Sequence, residues 1–90
     1  MKDTSIFKPR SDIRFRVVGE EAVIVRQMDA EVIAVNEVGA NILSLLDARR
    51  SVRDVLEALL DEYDVDRESL SNDVQKFLGE LREAGVVEEV

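Results

Sequence analysis

The stretch Glu31-Val32-Ile33-Ala34-Val35-Asn36-Glu37-Val38-Gly39-Ala40-Asn41-Ile42-Leu43-Ser44-Leu45-Leu46 decides the fold. It reads as a short apolar strand that passes directly into an amphipathic helix. Val35, Val38, Ile42, Leu45 and Leu46 fall at helical spacing, so strand and helix feed one core. Asn36 is the hinge. Its side-chain carbonyl suits an N-cap, where it accepts a hydrogen bond from the free N–H groups of the first turn. Upstream the pattern is that of strands, and downstream it is that of helices.

Working upstream, Ala30 to Val35 forms the third strand of a meander. Gln27-Met28-Asp29 is the turn before it. Ala22-Val23-Ile24-Val25-Arg26 is apolar enough to be the central strand, and Gly19-Glu20-Glu21 punctuates the turn that precedes it. In the first strand Ile13, Phe15 and Val17 alternate with Arg14 and Arg16, the period of a half-buried strand. Short connections make the sheet antiparallel, with the first and third strands on its edges. Residues 1–12 read as a flexible polar arm, because Pro9 and the Ser11-Asp12 pair argue against regular structure. Residues 13–90 make a single domain.

Downstream, helix one runs from about Glu37 to about Asp47, and Ala48-Arg49-Arg50 links it to the next. Ser51 opens helix two, with Asp54 three residues on in a capping-box arrangement. Val52, Val55, Leu56, Leu59, Leu60 and Tyr63 make one apolar stripe. Helix three runs from about Glu68 to Ala84 on a stripe of Leu70, Val74, Phe77, Leu78 and Leu81. Gly85 stands where a left-handed C-cap residue belongs. The pair Val86-Val87 is a short strand or a flap over the core. Three strands in a meander followed by three helices make an α+β domain of winged helix-turn-helix type.

Composition removes whole classes of chemistry. The 90 residues contain no cysteine and no histidine. That leaves no disulfide framework, no thiolate metal site and no imidazole general base. No nucleophile sits in a recognisable turn and no glycine-rich loop is present to hold a phosphate. Asp64-Val65-Asp66-Arg67-Glu68 resembles the start of a calcium loop. The required glycine is replaced by Ser69, and the closing carboxylate falls on Gln75. The expectation is no catalytic group, no metal and no cofactor. Nothing in the chain resembles a secretion signal or a membrane span, which points to a cytoplasmic domain.

The net charge of −8 is carried entirely by the helical half, since residues 1–36 balance. That bears on nucleic acid, the usual ligand of winged helix-turn-helix domains. The turn that would touch base edges is Asp66-Arg67-Glu68-Ser69, the wrong sign for a phosphate backbone. A DNA-binding regulator is the alternative that charge disfavours. Peptide binding has a better physical basis. Ile33 and Val35 point to the core, yet Val32 and Ala34 on the opposite face are apolar too. Either another segment covers them, or the third strand is an open edge to which an extended peptide adds beside helix three. An open edge also allows a weak homodimer in place of a monomer.

Taken together, these motifs resemble the PqqD-like family. Val35-Asn36-Glu37-Val38-Gly39-Ala40-Asn41-Ile42-Leu43 is similar to its strand-to-helix hallmark. Leu46-Asp47-Ala48-Arg49-Arg50-Ser51 is similar to its next link, with Val35 for the usual leucine and Ala48 for the usual glycine. The spacing of Val55, Leu59 and Tyr63 follows. Asp73-Val74, Phe77-Leu78 and Leu81, before Gly85, complete the match from about Phe15 to Val87. The resemblance implies a RiPP recognition element. Such a domain is non-catalytic. It binds the leader of a ribosomally made precursor peptide and presents it to a modifying enzyme, often a radical SAM enzyme. In PqqD members the pathway is that of pyrroloquinoline quinone. The leader is expected as a strand along Glu31, Val32, Ile33, Ala34 and Val35. Asp73, Lys76, Phe77 and Glu80 of helix three stand near the other wall.

Overall fold

A computed structural model describes residues 2–90. The chain runs β1 (Phe7–Pro9), β2 (Ile13–Val18), β3 (Glu21–Arg26), β4 (Glu31–Val35), α1 (Glu37–Leu45), α2 (Val52–Glu62), α3 (Arg67–Glu83) and β5 (Val87–Glu89). β2, β3 and β4 form an antiparallel sheet in that order, followed by the three helices. The α+β arrangement expected from the pattern is the one found. α2 and α3 form the helix-turn-helix pair. Of the C-terminal apolar pair, Val87 opens a strand, since β5 pairs antiparallel with β1, and Val86 precedes it.

Capping follows the local chemistry. The Asn36 side chain accepts the Gly39 N–H at 2.9 Å. Ser51 and Asp54 make both halves of the capping box on α2. Asp66 caps α3 through the Ser69 N–H. α1 is shorter than its apolar pattern, because Leu46 turns extended and acts as its C-cap. Asp47 then accepts the N–H groups of Arg49 and Arg50, closing the link to α2. Ala48 in that link has φ +66, a left-handed conformation that disfavours any residue with a Cβ. Gly85 takes φ +75 just past the α3 C-cap.

The structure corrects three expectations. Residues 2–12 are not without regular structure. Phe7 is 1% exposed in the core, and β1 pairs with β5. The carbonyls of Ser5 and Asp3 accept the N–H groups of Val52 and Arg53, two of the orphan donors that every helix N-terminus presents. Pro9 is tolerated because β1 is an edge strand. Second, the alternating β2 is not half-buried along its length. Ile13 is buried, but Phe15 and Val17 are 37% and 52% exposed. Their cross-strand partners Ile24 and Ala22 are fully buried, because α1 packs on β3 and β4, so the core ends across the sheet at the β2 edge. Third, Ala30 belongs to the turn, with φ +56, and β4 starts at Glu31.

The core gathers Ile24 of the central strand, Ile42 and Leu43 of α1, Val55 and Leu59 of α2, and Val74 and Leu78 of α3. Phe7 of the arm, Val86 and Val87 seal it. Among the described residues no helix is long and apolar enough to cross a membrane.

Candidate peptide-binding site

β4 is an edge strand, and its backbone register follows from the hairpins. The loop Gly19-Glu20 joins β2 to β3 in two residues, with Gly19 at φ +64, as a primed turn requires. Such a loop closes on a hydrogen-bonded pair, here Val18 and Glu21. Alternation then turns the N–H and C=O groups of Val23 and Val25 to β2, and those of Ala22 and Ile24 to β4. Ile33 and Val35 face Ile24 and Ala22, so their backbone groups are engaged. Val32 and Ala34 turn theirs away from the sheet. Of the strand Glu31–Val35, these two residues offer the open ladder.

The side chains divide in the same rhythm. Val35 is buried and Ile33 packs against the core. Val32 is 63% exposed and Ala34 is exposed. Among the described residues no segment covers them, and β4 stands at the edge of its sheet. Glu31 is also exposed, and its carboxylate pairs with Arg26, which donates to Asp29 as well.

Where β4 ends, α1 and α3 part to form two adjoining clefts. One of about 240 Å³ is lined by Asn36, Val38, Gly39, Ile42, Asp73 and Phe77. The other, about 180 Å³, is lined by Val38, Tyr63, Val65, Ser69, Leu70 and Asp73. Val38 and Asp73 belong to both, so the clefts form one groove with an apolar divider and a carboxylate at the rim.

Gly39 explains the shape of the first cleft. A Cβ placed there would lie 3.0 Å from Phe77 Cζ and 3.1 Å from Val35 Cβ. The absence of a side chain is what lets the end of β4, the first turn of α1 and the Phe77 ring meet. At the other end Asn41 Nδ2 donates to the Tyr63 hydroxyl, which donates to Glu37 Oε1 at 3.4 Å. These bonds tie α1 to the end of α2. Burial is the largest of the effects that hold the Tyr63 phenol above its ordinary pKa.

Of the α3 residues expected near the groove, Asp73 and Phe77 line it. Lys76 and Glu80 are exposed and line neither cleft. Val38, Ile42, Tyr63 and Val65 line the groove but were not foreseen as wall residues. The first three were absorbed into core stripes, and Val65 sits in a link that breaks helical spacing. Only the gap between α1 and α3 gives them a second face. Asp73 has no charged partner among the described residues. Arg67, at the start of α3, is paired with Glu57 at 2.5 Å and is not available to it.

A family model for Coenzyme PQQ synthesis protein D (PqqD) matches residues 21–87. The chain belongs to the PqqD family. The match spans β3 to the start of β5 and so takes in both β4 and the groove. Two solved structures share the fold closely. One is TbiB1 in complex with the TbiA(beta) leader peptide, 25% identical over 90% of this chain and 94% of that one, with a TM-score of 0.83. The other is lasso peptide synthetase B1 complexed with the leader peptide. It is 26% identical over 91% of this chain and 96% of that one, with a TM-score of 0.81. No curated protein matches the chain.

Proposed function

We propose that this PqqD-family chain binds the leader region of a ribosomally made precursor peptide as an added strand on β4, with leader side chains in the α1–α3 groove. It is a cytoplasmic, non-catalytic partner that presents the peptide to a modifying enzyme of the radical SAM class. The family description points to pyrroloquinoline quinone as the product. The observation that carries the proposal is the open ladder at Val32 and Ala34 beside an apolar groove. Both structural neighbours being leader-peptide complexes supports it.

The magnitudes fit a division of labour. Two residues offer up to four backbone hydrogen bonds, each contributing about 1 kcal/mol net. Micromolar affinity requires about 8 kcal/mol, after the cost of ordering an extended peptide. Backbone pairing is therefore insufficient alone. One leucine-sized side chain buried in each cleft adds about 1.5–3 kcal/mol. The strand edge sets the peptide's direction and register, and the clefts select its sequence.

The test is a titration of isotopically labelled protein with leader-length peptides from the open reading frame beside its gene. Amide shifts should concentrate on residues 31–36, on Val38 and Ile42, and on the groove-facing side of α3. Shifts confined to other surfaces would remove the proposal. Duplex DNA at low salt is the counter-test. Micromolar binding with a steep salt slope would favour the regulator instead.

A further inference from the structure

β2 offers the second unpaired edge of the sheet, on the far side of β3 from β4. The hairpin register turns the backbone groups of Arg14, Arg16 and Val18 toward β3 and leaves those of Phe15 and Val17 facing outward, while Ile13 donates its N–H to the Arg10 carbonyl. The side chains alternate as well. Phe15 and Val17 lie on the core side yet stay substantially exposed. Arg14 and Arg16 lie on the outer face, across from Val25 and Val23.

Charge sets this strand apart. In a chain of net charge −8, Arg10, Arg26, Arg50, Arg53, Arg67 and Arg82 all stand within ion-pair distance of a carboxylate. Among the described residues Arg14, Arg16 and Arg49 have no such partner, and of these Arg14 and Arg16 stand together on one strand edge. Arg14 donates to the carbonyls of Ser11 and Ile13, and Arg16 makes no side-chain hydrogen bond. Charges on an edge strand commonly prevent self-pairing. Here they disfavour two central registers. A second copy pairing antiparallel about Phe15 would set Arg14 against Arg16, and pairing about Arg16 would set that residue against its own mate. Yet a strand that only repels has no use for two large apolar side chains left uncovered on its other face.

We infer that the β2 edge docks a strand of a partner protein in which acidic and apolar residues alternate. The acidic side chains stand beside Arg14 and Arg16, and the apolar ones cover Phe15 and Val17. One strand then adds at each edge of the sheet, the leader at β4 and the partner at β2, so both are held at once. Identifying that partner as the enzyme that receives the peptide rests on the function proposed above; the chemistry of the edge does not.

The probe is a short β-hairpin closed by Asn-Gly, with one strand alternating glutamate and valine; a second hairpin carries lysine in place of glutamate. The glutamate hairpin should shift the amides of residues 13–18 and bind more weakly as salt rises. The lysine hairpin, or the Arg14→Glu/Arg16→Glu variant, should lower affinity by about tenfold. Thermal melting verifies that the variant is folded, and Arg16→Gln alone serves if it is not, with a smaller loss expected. Leader binding at β4 should be unchanged in these variants, and Ala34→Pro should leave the hairpin bound, so the two sites can fail separately. Equal binding of both hairpins, shifts confined to β4, or no shift at all would overturn the inference. So would a dimer of this chain that the arginine changes abolish.

Discussion

Substituting Ala34→Pro separates the open edge of β4 from the fold that carries it. The Ala34 N–H faces away from β3, so a proline there removes no ladder bond in the free protein. Edge strands accept proline for that reason, and the preceding Ile33 is already extended, as a residue before proline must be. In the complex the same change removes one donor and leaves a peptide carbonyl facing the pyrrolidine ring. An unsatisfied group of that kind costs about 1–3 kcal/mol, which corresponds to about 5- to 150-fold in affinity. Ile33→Pro is the contrast. It breaks the ladder with Ile24 and should unfold the sheet. The assay is fluorescence anisotropy with a labelled leader peptide, after a heteronuclear spectrum has verified the fold. Amide exchange gives a second readout. Val32 and Ala34 should exchange quickly in the free protein and become protected with peptide, while Ile33 and Val35 stay protected throughout. A folded Ala34→Pro variant that binds the leader unchanged would refute strand addition at β4.

Other expectations follow from particular residues. Ala48→Gly relieves a left-handed conformation costing about 1–2 kcal/mol, while the freer unfolded chain takes back about 0.4–1 kcal/mol. The midpoint of thermal unfolding should therefore rise by roughly 3–6 °C, and a fall would contradict the φ of +66. Gly39→Ala should crowd Phe77 and Val35, closing the first cleft and weakening leader binding by about tenfold with the fold retained; unchanged affinity would show that this cleft is not used. Phe7→Ala should cost about 3–5 kcal/mol in chemical denaturation, whereas a small effect would mean the arm is not part of the core. Asp3, Asp29 and Asp47 are held below the ordinary carboxylate pKa of 3.8, by the Arg53 side chain, the Arg26 side chain and the backbone N–H of Arg50 respectively. A depressed folded pKa gives stability that is complete above 3.8 and lost as pH falls through the lower folded value. Stability from these groups should thus be flat near neutrality and fall below about pH 4, and the triple Asp→Asn variant should show a shallower acid limb in pH-dependent melts.

Much of the fold was legible because it depends on short-range chemistry. Asn36 and Ser51 are caps whose partners lie three residues away, and the stripes of α2 and α3 repeat at helical period. The arm was not legible. Its partners are the N-terminus of α2 and the last strand, and neither is local to Phe7. The exposure of Phe15 and Val17 was missed for the opposite reason. Alternation says which side chains share a face of β2, but not how far across the sheet the helices cover that face. In the candidate site, Asp73 and Phe77 of α3 line the groove. Lys76 and Glu80 share that helix but not the groove, because the opening between α1 and α3 is narrower than the exposed surface of α3.

The sequence by itself determined the order of elements, the caps, the absence of cysteine and histidine chemistry, and the junction from Glu31 to Leu46 around which the strands and helices meet. Each depends on residue type and on spacing within a few turns. The tertiary structure alone decided which backbone groups of β4 remain open, that Gly39 lets Phe77 reach the strand end, and that Val38 and Asp73 join two clefts into one groove. Those features depend on the distance between elements far apart in the chain, and periodicity fixes a residue's direction around its own axis but not what stands opposite it.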